Sequence, residues 1–361
     1  MRRNAISGVF TFLFVAGGLY GSIVGTTSLA DLAQAADLIA VGSASGRLQV
    51  ARVLKGDSTI SGTNIAVHWE PRDNVSFTPV SVNGNGLWFL KRSSSGWKVI
   101  PIQDDGIFNH TFIPEPSGPI VDAYAYNATA SLADKVASEA SAAIESSSDP
   151  AQFSTIYYGL DQLNSPVIQR LYTRLAASNN TSQKILGLSG LIRGGSTPAL
   201  AAAAKLTASL GNYPLENGVL SNAIRDDFRA IDANSVQVLG QIATGSTGAG
   251  TLLREAAAFA LRSIHTKEAL PYLATFLDDA NPGVRAEGIG GLSAFANGLP
   301  VQTPANVVSM AYLKYPASAP FQTDQTKANF AMGLESIAPN ETVYLSFWKT
   351  WWAQNRAALG Y

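Results

Sequence analysis

The sequence contains no cysteine, which removes a whole group of chemical possibilities. It excludes disulfides, thiolate metal sites, a cysteine nucleophile and lipid attachment through an N-terminal cysteine. A chain of 361 residues without disulfides must be stabilised by side-chain packing alone. That length is enough for about two or three hydrophobic cores.

Charged residues are also scarce, at 14% of the chain, and the formal net charge is −1. This balance excludes a global basic field of the kind that holds nucleic acid, so no nucleic-acid partner is predicted. A low charge content beside 46% hydrophobic residues is typical of helices whose faces are covered by neighbouring helices.

Residues that often carry catalysis or bind metals are few. The only histidines are His68, His110 and His265. They lack metal-ligand spacing, and they are interpreted as structural or surface residues. The acidic pairs at 104–105 and 278–279 lie in turn-like sequence without the alternating oxygen ligands of a calcium loop. A Ser/His/Asp triad stays open because triads are recognised by geometry, but no nucleophile elbow is present. The sequence therefore predicts no catalytic, metal-binding or cofactor-binding residue and no cofactor.

Residues 1–25 have the order of a targeting segment. Arg2 and Arg3 give a positive start, residues 9–16 form an uncharged apolar run, and small residues follow. This order predicts a secretory signal that is cleaved, and hence a secreted or periplasmic protein. The alternative is an uncleaved N-terminal anchor, because the apolar character continues to Val24. A membrane is a predicted partner only if this segment is retained.

Residues 26–114 have the alternating apolar pattern and the turn residues of a small β domain. A short helix is expected at 29–36, and β-rich segments follow. These segments are 37–46, 47–57, 63–71, 85–92 and 97–102. About five short strands are enough to close a small barrel. The order of the segments is similar to a small β-barrel module found at the start of exported bacterial proteins, related in shape to OB-like and netrin-like barrels.

The later part of the chain contains a repeat. Leu253-Arg254 and Val284-Arg285 occupy equivalent places in two helical patterns, and a third copy lies upstream around Lys184. The spacing of the first two, about 31 residues, lies in the range typical of helical solenoids. Small residues recur at 257, 260, 288 and 291 on one helical face, where they let neighbouring helices approach closely. Each copy is therefore predicted to be a helical hairpin.

The segments LLREAAAFAL, EALPYLATFLDD and PGVRAEGIGGL resemble the HEAT repeat family. In that family the first helix often carries Val-Arg-x-x-Ala-x-x-Ala-Leu, and the second often opens with Ala-Leu/Ile-Pro. The resemblance covers about residues 180–298. It implies an α-α solenoid in which Arg254 and Arg285 brace the repeats rather than bind a ligand.

Several helix bounds and a C-terminal aromatic group are also predicted. A helix is expected at 121–144 and another at 266–277, the second capped by Thr266. Trp348, Trp351 and Trp352 share one face of a final helix. They are interpreted as closing the open end of the solenoid core, with glycan or peptide binding as the alternative.

The predicted fold class is α+β multidomain, a small β-barrel followed by a solenoid of HEAT-like hairpins. The predicted parts are a signal peptide or anchor at 1–25, the barrel at 26–114, a connector and first helix at 115–150, and the solenoid with its tryptophan-rich cap at 151–361. The predicted function is non-enzymatic binding or scaffolding of a protein, peptide or polymer. Two alternatives stay open: a hydrolase or lyase with a site between barrel and solenoid, and a purely structural cell-envelope protein.

Overall fold

The structure, a computed structural model, describes most of the chain in ten stretches. They are residues 28–69, 82–104, 109–116, 120, 122–147, 159–210, 214–227, 233–264, 266–296 and 338–361. The described residues form two compact units that divide between Leu171 and Tyr172. The predicted signal segment lies outside the described residues, and the domain boundaries at 114 and 150 stay predictions. None of the described helices has the length and apolar character needed to cross a membrane.

The first unit contains a closed barrel of five strands, which confirms the predicted barrel. A short helix, α1 (Leu29–Ala35), precedes it, as expected from the sequence. The strands are β1 (Leu38–Ser45), β2 (Arg47–Lys55), β3 (Asn64–His68), β4 (Asn83–Ser93) and β5 (Gly96–Val99). They pair in the order β1-β2-β3-β5-β4, and β4 pairs again with β1 to close the ring. Only the β3–β5 pair of this ring is parallel.

Three short strands follow the barrel strands. They are β6 (Gln103–Asp104), β7 (Asn109–His110) and β8 (Phe112–Pro114). The strand β8 pairs with β4, whereas β6 and β7 pair with each other.

Alternation along the barrel strands sends one set of side chains into a buried core. Trp88 of β4 lies at its centre, fully buried and stacked on Phe112 with ring centroids 4.6 Å apart. Its indole Nε1 donates a hydrogen bond to the carbonyl of Gly42 at 3.0 Å. The only polar atom of this buried side chain is therefore satisfied, as burial of tryptophan requires.

The helix expected at 121–144 begins later than its apolar pattern indicates. The observed helix, α2, spans Leu132–Ser146. Ser131 accepts a hydrogen bond from the Asp134 amide at 3.0 Å and donates to the Asp134 carboxylate at 2.8 Å. This capping arrangement fixes the helix start, because the first amides of a helix have no partner within it.

The second unit is a run of helices that form successive hairpins. Leading into it, α3 spans Pro166–Ala176. The first helices of the hairpins are α4 (Thr181–Arg193), α6 (Pro214–Asn222), α8 (Thr251–Ile264) and α10 (Pro282–Ala296). The second helices are α5 (Thr197–Leu210), α7 (Ala233–Ala243) and α9 (Leu270–Phe276). A π-helical turn at Ala223–Asp227 extends α6, and the last helix is α11 (Glu341–Leu359). The barrel followed by a helical repeat region confirms the predicted fold class.

The second helix expected at 266–277 is shorter in the structure. A 3₁₀ turn at Lys267–Ala269 precedes α9, and the side chain of Thr266 makes no capping hydrogen bond. Pro271 lies in the first turn of α9. Because proline has no amide hydrogen and is best tolerated in the first turn, the α-helix starts at Leu270 rather than a turn earlier.

One hydrophobic core runs through the hairpins from α4 to α11. The first helices contact one another in the order α4, α6, α8, α10, and α5 contacts α7. A glycine also permits a close approach between α3 and α4. A Cβ at Gly187 of α4 would lie 2.1 Å from the amide nitrogen of Ala176, a distance that no larger residue tolerates.

Candidate functional site

Arg254 and Arg285 both bind groups at the ends of helices. The Arg254 Nε donates to the Ala243 carbonyl at 3.0 Å, and its guanidinium pairs with Asp279 at 2.5 Å. Arg285 makes a bidentate pair with Glu341 at 2.8 and 3.0 Å, which raises the pKa of the arginine. It also donates to the carbonyl of Asp279 at 2.9 Å. Both arginines therefore tie consecutive hairpins together, which is the role that the family resemblance implies.

Few of the described side chains of the first helices are exposed. In α8, only Thr251 and Leu252 are exposed, and α4 has no exposed residue. Such helices are enclosed by protein, so they offer little surface to a partner. Any extended binding surface of the hairpins must therefore lie on other helices.

The second helices supply that surface. Their exposed side chains are small or uncharged, apart from Lys205 on α5. They include Ala201, Ala202 and Ala208 of α5, Gln237 and Gln241 of α7, and Thr275 of α9. Because α5 contacts α7 and α7 contacts the turn that leads into α9, these side chains lie along one series of neighbouring helices.

The three tryptophans of α11 differ in burial. Trp348 is fully buried in the solenoid core beside Tyr344, whereas Trp351 and Trp352 are half-buried against it. The ring of Trp352 lies 5.7 Å from that of Tyr361. The burial of Trp348 is consistent with a core-closing helix, and it leaves Trp351 and Trp352 as the aromatic surface available to a ligand. Ligand binding by this group stays a prediction.

Of the histidines, only the side chain of His68 is described. Its Nε2 lies 3.5 Å from the Ser93 hydroxyl and 3.4 Å from the Ser95 hydroxyl. These distances are at the long end of the range for a hydrogen bond, so they do not indicate an assembled nucleophile and base. The side chain of His110 and the whole of His265 lie outside the described residues.

The acidic pairs take structural roles where they are described. Asp279 binds Arg254 and accepts a hydrogen bond from the Asn281 amide at 2.8 Å, and Asp278 pairs with Lys349 at 2.5 Å. The side chains at 104–105 lie outside the described residues. Within the described part of the chain, no group of three His, Cys, Asp or Glu residues is arranged to hold a metal ion.

Sequence reasoning missed a buried ion pair between α8 and α10. The Arg262 Nη1 lies 2.7 Å from the Glu287 carboxylate, with side-chain exposures of 4% and 16%. The guanidinium also stacks over the Phe259 ring at 4.3 Å. Burial lowers the pKa of Arg262 and raises the pKa of Glu287, and the attraction between them opposes both shifts. The sequence signal was one arginine and one glutamate within the apolar stretches of these two helices.

A second cluster that the sequence did not indicate joins α2 to the barrel. Arg52 of β2 pairs with Glu139 at 2.8 Å, and Tyr126 donates a short hydrogen bond to the same carboxylate. Arg52 also donates to the Tyr126 hydroxyl at 3.2 Å. Burial raises the pKa of Glu139, and burial together with the Glu139 carboxylate raises the pKa of Tyr126. The three side chains satisfy one another and fasten α2 to β2.

Comparison with protein families gives one match within the second unit. Residues 253–279 match the family described as PBS lyase HEAT-like repeat. No curated protein and no solved structure matches the chain significantly. The match runs from α8 to the turn after α9, so it shows a HEAT-like repeat in this hairpin. The predicted exported bacterial type stays a prediction.

Proposed function

We propose that the protein is an exported binding or scaffold protein whose solenoid surface holds a protein, peptide or polymer partner. The observation that carries this proposal is the series of second helices α5, α7 and α9. Apart from Lys205, their exposed side chains are neutral and mostly small, while the first helices expose few of their described side chains. Stacked repeats of this kind present extended surfaces, because each unit contacts mainly its neighbours.

The small number of charges on this surface indicates which kind of partner it can bind. Gln237 and Gln241 present amide groups that both donate and accept hydrogen bonds, and Thr275 adds a hydroxyl. A surface with few charges does not rely on long-range attraction, so it suits a partner with matching shape and polar groups. A folded protein or an extended peptide meets this description.

The test is capture of a partner from a cell-envelope extract by the full chain, followed by mass spectrometry. We expect Gln241→Arg to lose the partner, because it places a bulky charge in the middle of the proposed surface. Gln354→Arg is the matched control, since it makes the same chemical change at an exposed position of α11, which is not one of the second helices. Equal capture by the two variants would contradict the proposal.

Export is proposed from residues 1–25, which have the residue order of a secretory signal. The alternatives, a hydrolase or lyase and a purely structural envelope protein, stay predictions. The family match gives no support to lyase chemistry in this chain, because it covers a single hairpin whose arginines brace helices.

A further inference from the structure

The exposed face of α7 carries side-chain amides and no charge. Asn234, Gln237 and Gln241 are exposed, and the helix contains no aspartate, glutamate, lysine or arginine. Residues three, four and seven apart lie on one face of a helix, so the three carboxamides form a row along α7. No hydrogen bond joins these side-chain amides to the rest of the described chain. The row is therefore a set of donors and acceptors that face solvent.

The backbone that carries this amide row is held by helices on both sides. A Cβ at Gly240 would lie 2.3 Å from the Tyr272 ring, so this ring of α9 packs directly on the backbone of α7. On the opposite side of α7, Ser235 shares a hydrogen bond at 2.5 Å with Thr197 of α5. The row thus lies on the middle one of the second helices, with its helix fixed before any partner arrives, which lowers the entropy that binding costs.

The spacing of the amide row matches an extended polypeptide. Gln237 and Gln241 are four residues apart, which is about 6 Å along the helix axis. Alternate residues of an extended chain are about 6.7 Å apart, a difference that the flexible glutamine side chains accommodate. A side-chain amide also presents an N–H donor and a carbonyl acceptor, as a backbone amide does. The two glutamines can therefore pair with alternate backbone amides of the same extended chain.

We propose that the amide row of α7 binds extended polypeptide through its backbone, without selecting its side chains. This inference rests on the binding function proposed for the second helices, and it names the partner as a protein segment without regular structure. An uncharged face neither attracts nor repels the charged side chains of such a segment. The half-buried Tyr272 ring borders the row and adds an aromatic contact, of the kind enriched where binding energy concentrates.

The chemistry of the amide row favours a polypeptide over other polymers. A sugar hydroxyl rotates to suit its partner, so a row of planar amides gives it no particular advantage. Nucleic acid and anionic lipid are held mainly by lysine and arginine, and α7 contains neither. A backbone amide, with one donor and one acceptor, is the group that the row complements in both directions.

The test measures binding of the full chain to fluorescein-labelled neutral peptides of unrelated sequence by fluorescence anisotropy. Each peptide lacks proline and is compared with a copy that is methylated at successive backbone nitrogens along its central segment. We expect the unmethylated peptides to bind with similar affinities, because their side chains are not read. The methylated copies should bind at least tenfold more weakly, because they have lost the N–H donors that the amide row accepts.

Two variants of the amide row test its residues directly. Gln237→Glu and Gln241→Glu keep the side-chain shape and the acceptor oxygens but remove the N–H donor. Each is expected to weaken peptide binding about two- to tenfold, the loss that corresponds to one hydrogen bond. Gln354→Glu is the matched control, because it makes the same change at an exposed position of α11. It should bind the peptides as the wild type does.

The outcomes separate this inference from the proposed function. Equal weakening by Gln241→Glu and Gln354→Glu would overturn backbone recognition, as would equal binding of methylated and unmethylated peptides or no binding of either. Binding of neutral dextran as tightly as the peptides would also overturn it, in favour of a polysaccharide site. If Gln241→Arg loses the envelope partner while methylation leaves peptide binding unchanged, the second helices remain a binding surface but do not read a peptide backbone.

Discussion

Removing the arginine of the buried Arg262–Glu287 pair should destabilise the second unit markedly. In Arg262→Met, the apolar stem still fills its space beside Phe259, but the Glu287 carboxylate loses its opposite charge. Breaking a buried pair from one side costs about 3–5 kcal/mol, because the remaining charge is left without compensation. The Glu287 side chain keeps 16% exposure, so the lower end of that range, about 3 kcal/mol, is expected.

The exposed pair of Lys349 and Asp278 is the internal control. Its side chains are 45% and 73% exposed, and Lys349→Met should change stability by about 0–1 kcal/mol. Hydrogen exchange of peptides from α8 and α10, followed by mass spectrometry, reports the opening free energy of this unit without a contribution from the barrel. The double variant Arg262→Met with Glu287→Leu should recover most of the loss, since it removes both buried charges. Equal destabilisation by Arg262→Met and Lys349→Met would refute the reasoning. So would a double variant that recovers no stability relative to Arg262→Met.

The pH dependence of Arg262→Met follows from the pKa of Glu287. Burial raises that pKa, and loss of the arginine removes the attraction that opposes the rise. A carboxyl group whose pKa is higher in the folded chain binds its proton more tightly there, so stability falls as pH rises toward the folded pKa. The loss of stability caused by Arg262→Met should therefore be largest at neutral pH. It should shrink as the pH falls toward the ordinary glutamate pKa of about 4.3. A deficit that is independent of pH would contradict this account.

Two further predictions follow from the fold, and a third follows from the sequence of residues 1–25. Leu261→Asp places a charge at a fully buried position of α8 and should abolish the cooperative melting of the second unit. Circular dichroism measures the melt. A melt like that of the wild type would contradict the assignment of Leu261 to the buried face of the repeat. Gly187→Ala should lower the melting temperature because its Cβ meets the backbone, whereas Gly218→Ala, with no atom within 4 Å of the added carbon, should raise stability by about 0.5–1 kcal/mol. Intact-mass measurement of the exported chain should show residues 1–25 removed, and a retained Met1 would favour the anchor.

The features readable from the sequence were those set by local periodicity. Alternation predicted the barrel strands, and the recurrence of Leu253-Arg254 at Val284-Arg285 predicted the hairpins. The bracing role of both arginines came from the resemblance to the HEAT repeat family. The late start of α2 was missed because the cap at Ser131 outweighs the apolar pattern before it. The Arg262–Glu287 pair was missed because it depends on how α8 and α10 are rotated against each other, which periodicity alone does not fix.

The closure of the barrel has a consequence for the time course of folding. Leu38 at the start of β1 pairs with Leu90 of β4, so the ring cannot close until both have been brought together across the intervening chain. Hairpins of the second unit need only contacts between neighbours. Because folding rates fall as the mean sequence separation of contacts rises, the barrel should be the slower of the two to mature. A nascent chain would then carry exposed strand edges for a time, a natural target for a chaperone.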